Sequence, residues 1–206
     1  MPRSDPRPVG VVLVGGTSQR MGGGVKALLP VGGRPLAAWS AAALTPLCTR
    51  VVLATGTLGE LPGLPWPGVA DRFPGLGPVA GLHAGLVEAA GEGILVLPCD
   101  LPLVRTHHLA PLLAHRAGHD VVVYTHEGGI EPLVGWYGPG CGPVMARQLA
   151  AGGGPIRATW GLLRVLELPW LFPRELLRNV NTPAERAEAE AQLRDCQGRV
   201  GPTAGS

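Results

Sequence analysis

Val9-Gly10-Val11-Val12-Leu13-Val14 runs directly into Gly15-Gly16-Thr17-Ser18-Gln19-Arg20-Met21-Gly22-Gly23-Gly24-Val25-Lys26. The first six residues are apolar without alternation, the pattern of a strand covered on both faces. Glycines at its exit let backbone N–H groups ring an anion with no Cβ in the way, while Arg20 and Lys26 add positive charge at fixed offsets. In outline this is a phosphate cradle. No Gly-Lys-Ser/Thr closes it, so it is not a Walker A loop, and it lacks the G-x-G-x-x-G spacing of a dinucleotide fold. Glycines alone would favour a surface turn with solvated Arg and Lys; the position after a buried strand and the two cations shift the reading to the cradle.

Five further apolar runs of the same kind follow: Val51 to Ala54, Ile94 to Leu97, Val121 to Tyr124, Leu133 to Tyr137 and Leu163 to Leu168. Between and after them, helical spacing predicts helices over Leu36 to Leu47, Val79 to Ala90, His107 to His115, Pro143 to Ala151 and Pro183 to Leu193. Alternating strands and helices predict an α/β fold, a three-layer α/β/α sandwich with a mostly parallel sheet joined by right-handed crossovers. Residues 1–196 read as one domain and 197–206 as a disordered tail. Gly56 to Gly68 is the longest Gly/Pro-rich interruption and reads as a surface loop. In such a sheet ligands gather at the carboxyl ends of the strands, where the Gly-rich loop and Pro98-Cys99-Asp100 both fall.

The formal net charge is +2 with no run of like charge, which argues against nucleic acid or an anionic membrane as partner. Cys48, Cys99, Cys141 and Cys196 are far apart, form no C-x-x-C pair and read as free thiols in a reducing compartment. Met1 to Pro8 is polar and proline-rich, unlike a signal peptide, and no segment approaches the length of a spanning helix. A cytoplasmic protein acting on a small molecule is the expectation. The six histidines form no ligand cluster and pair with no nucleophile, so they read as structural or solvated.

The stretch from Leu13 to Lys26 resembles the L-x-G-G-x-S-x-R-M-G signature, followed by Lys, of the molybdenum cofactor guanylyltransferases within the wider nucleotidyltransferase family. Three more segments agree in order and approximate spacing: Asp71 followed by Gly77-Pro78-Val79-Ala80-Gly81, then Leu97-Pro98-Cys99-Asp100-Leu101-Pro102, then Asn179-Val180-Asn181-Thr182-Pro183. The resemblance implies a Rossmann-like nucleotidyltransferase fold and Mg²⁺ as cofactor. It implies Arg20, Lys26 and Asp100 as catalytic residues and nucleotide contacts at Leu13, Val14, Gly15, Gly16, Lys26, Asp71, Gly77, Pro78 and Asp100. Asp100 is the implied metal ligand; the competing reading is an Asp that caps the following helix or turn. For Asp71 the competing reading is a solvated carboxylate beside Arg72, and for Gly77 to Gly81 it is plain helix-to-sheet packing.

Thr182 as N-cap and Pro183 as first helical residue explain their own presence. They leave Asn179 and Asn181, which the resemblance puts near the acceptor or the metal. Glu131 to Tyr137 is similar to a family segment on the acceptor side, although Trp136 and Tyr137 suit a core equally well. Val25 departs from the pattern, since many relatives carry Asp before the loop lysine.

The implied reaction moves GMP from GTP to the phosphate of molybdopterin, giving the guanine dinucleotide cofactor and pyrophosphate. The implied partners are GTP and molybdopterin, with transient contact to molybdoenzyme maturation proteins and with neither nucleic acid nor membrane. Gly15-Gly16 and Gly81 favour GTP; cytidylyltransferase relatives tend to carry Ala-Gly and a different residue at the second place. The alternatives are a cytidylyltransferase or another nucleotidyltransferase of the same fold, and a non-catalytic nucleotide or cofactor carrier.

Overall fold

Valine and leucine side chains on a pleated strand stand to both sides, so a strand made almost wholly of them must be covered twice. The computed structural model describes residues 6–14 and 24–198. It buries the strands at Val9–Leu13, Val51–Gly56, Ile94–Pro98 and Val121–His126 on both faces, whereas Val165–Pro169, at the sheet edge, is only half-buried with Glu167 exposed. The elements are β1 (Val9–Leu13), β2 (Pro30–Val31), β3 (Arg34–Pro35), α1 (Leu36–Leu44), β4 (Val51–Gly56), β5 (Gly68–Ala70), α2 (Pro78–Glu88), β6 (Ile94–Pro98), α3 (Thr106–Ala114), β7 (Val121–His126), β8 (Gly129–Tyr137), α4 (Cys141–Ala150), β9 (Val165–Pro169) and α5 (Pro183–Gly198). The tail reading is modified in part: Gln197 and Gly198 belong to α5, and residues 199–206 lie outside the described residues. No described helix is long and apolar enough to cross a membrane.

Seven strands form one sheet in the order β5-β4-β1-β6-β8-β7-β9, and β2 pairs with β3 in a separate short ribbon. All pairings in the large sheet are parallel except those of β8, which runs antiparallel to both β6 and β7. The cause is the connection: only Glu127 and Gly128 separate β7 from β8, enough for a hairpin but far short of the dozen residues a parallel crossover needs. This hairpin also carries β8 back to Gly129, four residues before the apolar run that marks it in the sequence.

The two faces sort by strand parity. Val12, Leu53, Leu95, Leu97, Val122 and Tyr124 pack with Ala37, Ala41 and Leu44 of α1 and Leu109 and Leu112 of α3. Val11, Leu13, Val52, Ala54, Val96 and Val123 pack with Val79, Leu82 and Leu86 of α2 and Cys141, Met145 and Leu149 of α4. Burying each such aliphatic side chain contributes ~1.5–3 kcal/mol. A third, smaller cluster joins Ala189 and Leu193 of α5 to Val31, Leu36, Trp39, Leu103 and Val180, which seats the last helix over the β2–β3 ribbon. Thr182 and Glu185 form a reciprocal capping box at its start, the Glu185 N–H donating to Thr182 Oγ1 at 3.2 Å and the Thr182 N–H to Glu185 Oε2 at 2.8 Å.

α2 lies so close to β1 that a Cβ at Gly85 would stand 2.7 Å from Val11 Cγ2. Gly85→Ala gains helix propensity of about 1 kcal/mol, yet overpacking against a fixed β-branched residue costs about 1–3 kcal/mol, so a net loss of stability is expected in urea unfolding. Cys48, Cys99 and Cys141 are buried, and burial pushes each thiol up to about 12. In a Cys196→Ser variant, a thiol reagent at pH 8 should therefore modify none of the three until denaturant is added. Rapid modification of any of them in the folded protein contradicts the packing described.

Candidate active site

β1, β4 and β6 run parallel, so their carboxyl ends reach one edge of the sheet. β8 runs the other way, with Gly135 opposite Val96, and its earlier residues continue toward that same edge. Leu13, Ala54 to Leu58, Pro98 to Leu101 and Glu131 to Leu133 meet there around a cavity of about 620 Å³, whose wall is completed by Asp71, Gly75, Gly77, Pro78, Gly81 and Asn179. That volume is within the usual range for small-molecule sites.

Backbone bonds hold the edge together beyond the regular ladder. The Cys99 N–H donates to the Leu13 carbonyl at 3.0 Å, and the Val180 N–H donates to the Asp100 carbonyl at 3.0 Å. The Ser40 hydroxyl donates to the Pro98 carbonyl at 2.8 Å. The end of β6 is thereby fixed to β1, α1 and the segment before α5.

Three chemical groups from distant parts of the chain converge on this edge. The Lys26 ammonium donates to Asp100 Oδ2 at 2.6 Å and to Asn181 Oδ1 at 2.5 Å. The pair is sheltered, with side chains 12% and 19% exposed for Lys26 and Asp100. Asp100 caps no helix, because α3 starts at Thr106 with Arg105 in the cap position. Asn181 is held by its own N–H, which donates to Glu185 Oε2 at 2.7 Å. That bond is also the main reason the Glu185 carboxyl lies below its ordinary range.

Asp71 follows β5, and its N–H donates to the Gly56 carbonyl at 3.0 Å. Its Oδ1 is buried with no hydrogen-bond partner among the described residues, and burial raises the carboxyl above the ordinary range. An unpaired carboxylate oxygen on a cavity wall is an acceptor awaiting a donor. It is not the solvated carboxylate beside Arg72.

Gly77 caps the start of α2 at φ +76°, ψ −164°, backbone that only glycine adopts readily, and Pro78 takes the first helical position. A Cβ at Gly81 would lie 3.0 Å from Leu13 Cδ2, so this glycine serves helix-to-sheet packing as well as the cavity wall. Val25 leans on the core beneath α1 and α3, which gives a packing reason for an apolar residue there. Trp136 and Tyr137 are buried in the core and do not line the cavity, so the core reading holds for both.

Gly15, Gly16 and Arg20 lie outside the described residues. Of the other anticipated residues, Leu13, Asp71, Gly77, Pro78, Asp100 and Asn179 line the cavity. Lys26 and Asn181 join Asp100 directly. Val14 is buried in the core beneath α1 and α3. Thr55, Thr57 and Leu58 were not anticipated; they follow the apolar run Val51 to Ala54, and the strand-end rule that found Asp100 would have found them. Glu131 also borders a second cavity of about 400 Å³ with His126, Arg174 and Arg178. There His126 accepts the Gly128 N–H at Nδ1, leaving Nε2 to donate to Glu131 Oε1 at 2.9 Å.

No three His, Cys, Asp or Glu side chains converge on a metal position among the described residues. The oxygen pair Asp100 Oδ2 and Asn181 Oδ1 nevertheless suits Mg²⁺, a hard cation that takes one or two carboxylates and completes its shell with substrate phosphates and water.

A model of the MobA-like NTP transferase domain matches residues 10–167. The chain is 36% identical over 197 residues to a molybdenum cofactor guanylyltransferase from Cereibacter sphaeroides, covering 91% of this chain and 98% of that one. It is 31% identical over 194 residues to the molybdenum cofactor guanylyltransferase of Desulfosudis oleivorans, covering 90% and 95%. The crystal structure of molybdopterin-guanine dinucleotide biosynthesis protein A from Archaeoglobus fulgidus shares the fold, with a TM-score of 0.74 at 24% identity over 91% of this chain and 99% of that one. The parallel sheet, the cavity at its carboxyl edge and the match across most of the length thus agree, and the chain belongs to the MobA-like NTP transferase family.

Proposed function

We propose that this protein is a Mg²⁺-dependent guanylyltransferase of the cytoplasm that transfers GMP from GTP to the phosphate of molybdopterin carrying the molybdenum cofactor. The observation that carries the reading is the convergence of Lys26, Asp100 and Asn181 beside the cavity, in a chain whose relatives are named for this reaction. Gly15, Gly16 and Arg20 are assigned to the triphosphate on the sequence pattern. Product transfer by transient contact with molybdoenzyme maturation proteins belongs to the same proposal.

The chemistry asks mainly for position and charge. The acceptor phosphate is already ionised at neutral pH, so it needs no general base to attack the α-phosphorus. A new P–O bond forms in line as the bond to the β-phosphate breaks, and the electron pair leaves with pyrophosphate. Asp100 and Asn181 hold the Lys26 ammonium at the cavity edge in the free protein, from where it supplies positive charge to the phosphates. When bound at Asp100, Mg²⁺ neutralises charge on the α-phosphate and the departing pyrophosphate. Asn179 and Glu131 stand on the cavity wall where the acceptor would extend. For the base, Asp71 Oδ1 offers an acceptor that suits the adjacent N1–H and N2–H donors of guanine, and Gly81 keeps that wall thin.

Calorimetry with Mg²⁺ should give selective binding of GTP over CTP, ATP and UTP, and Asp100→Ala should remove the dependence on metal. Preference for CTP would assign the sister cytidylyltransferase activity, and absence of nucleotide binding would refute the Gly-rich loop as a phosphate cradle. Asp71→Asn, which retains shape but loses the charged acceptor, should weaken GTP about ten-fold, or ~1.4 kcal/mol, in the same titration.

A further inference from the structure

Asp100 Oδ2 and Asn181 Oδ1 lie 2.6 and 2.5 Å from Lys26 Nζ, so the two oxygens best suited to a divalent cation already point at one shared cation. Both oxygens sit on backbone that is tied in place. The Val180 N–H bonds the Asp100 carbonyl, and Glu185 holds the N–H groups of Asn181 and Thr182. Lys26, by contrast, reaches the seat on a flexible four-carbon stem.

A Mg²⁺ ion bonds its oxygens at roughly 2.0–2.1 Å, so an ion drawn in by this pair would stand against the ammonium itself. Two cations in contact repel strongly in a sheltered site, and one must leave. In the free protein the ammonium would give up both partners on leaving. With a triphosphate in the cavity it exchanges them for phosphate oxygens.

We infer that the Lys26 ammonium and the divalent cation compete for one seat between Asp100 and Asn181, so that the metal binds weakly alone and tightly only with the nucleotide. Lys26 is thus a placeholder that couples the two ligands, and by linkage each raises the affinity of the other by the same factor. The device keeps a partly buried carboxylate neutralised before substrate arrives. It rests on the metal-dependent reading above, but concerns a different quantity, metal affinity in the absence of nucleotide.

The test is binding of Mn²⁺ alone, followed by the electron paramagnetic resonance signal of the free ion. Wild type, Lys26→Met, Lys26→Arg and the double variant Lys26→Met/Asp100→Asn are compared after their melting temperatures establish that each is folded. Lys26→Met should bind Mn²⁺ roughly ten-fold more tightly than wild type, within the range typical of coupled sites. Lys26→Arg, which keeps the charge, should stay weak, and the double variant should lose the gain. Adding GTP should then raise Mn²⁺ affinity more in wild type than in Lys26→Met.

Equal or weaker Mn²⁺ binding by Lys26→Met overturns the competition, even if GTP binding proves Mg²⁺-dependent. A gain that survives Asp100→Asn overturns it too, since the seat would lie elsewhere. Should Lys26→Met not fold, Lys26→Gln takes its place with the same expected direction. Failure to bind GTP would count against the guanylyltransferase reading, while the nucleotide-free titrations would still decide the competition.

Discussion

β1 is hydrogen-bonded on both sides by parallel neighbours, β4 and β6, and the chain leaves it in one direction and comes back on the other. At the carboxyl ends of these strands the described residues leave the cavity between β4 and β6. The bond from the Cys99 N–H to the Leu13 carbonyl carries the ladder one step further and sets Asp100 at the crevice mouth. Every other part of the site is placed by reference to that point. Lys26 returns to it from the Gly-rich segment, Val180 hydrogen-bonds to it, and β8 runs antiparallel so that its first residues arrive there.

The antiparallel strand therefore matters to function as well as to topology. A parallel strand in that position would bring its carboxyl end to this edge and its first residues to the opposite one. The two-residue connection at Glu127 and Gly128 reverses this, and it puts Glu131, Pro132 and Leu133 on the cavity wall while Trp136 and Tyr137 sink into the core. One hairpin thus divides a single segment into a functional half and a structural half. Electrostatics completes the arrangement. Asp100 is paired with a cation, while Asp71 Oδ1 carries the unrelieved cost of burial. The two carboxylates consequently suit different tasks, one holding positive charge near phosphates and the other accepting a hydrogen bond.

Much of this was legible in the chain. Unalternating valine and leucine runs forecast strands buried on both faces, and the strands appear where those runs lie. Pro78 and the Thr182-Pro183 pair marked helix starts because their chemistry acts within one turn. The antiparallel pairing of β8 was less legible, since its evidence is the brevity of a turn, which apolar patterning does not register. Thr55, Thr57 and Leu58 carry no charge and border the Gly/Pro-rich stretch from Gly56 that reads as a surface loop, so their place in the site comes only from following β4. The contact of Asn181 with Lys26 could not be read at all: it joins residues far apart in sequence, and only packing of the segment before α5 against Asp100 creates it.

Pyrophosphate release should be measured with Mg²⁺ and molybdopterin under GTP and, separately, under CTP, with omission of molybdopterin as the control. Release with GTP is expected to require molybdopterin and to yield a guanine dinucleotide product, with little or none under CTP. Release that favours CTP, or no release under either nucleotide from a folded protein, would contradict the guanylyltransferase reading.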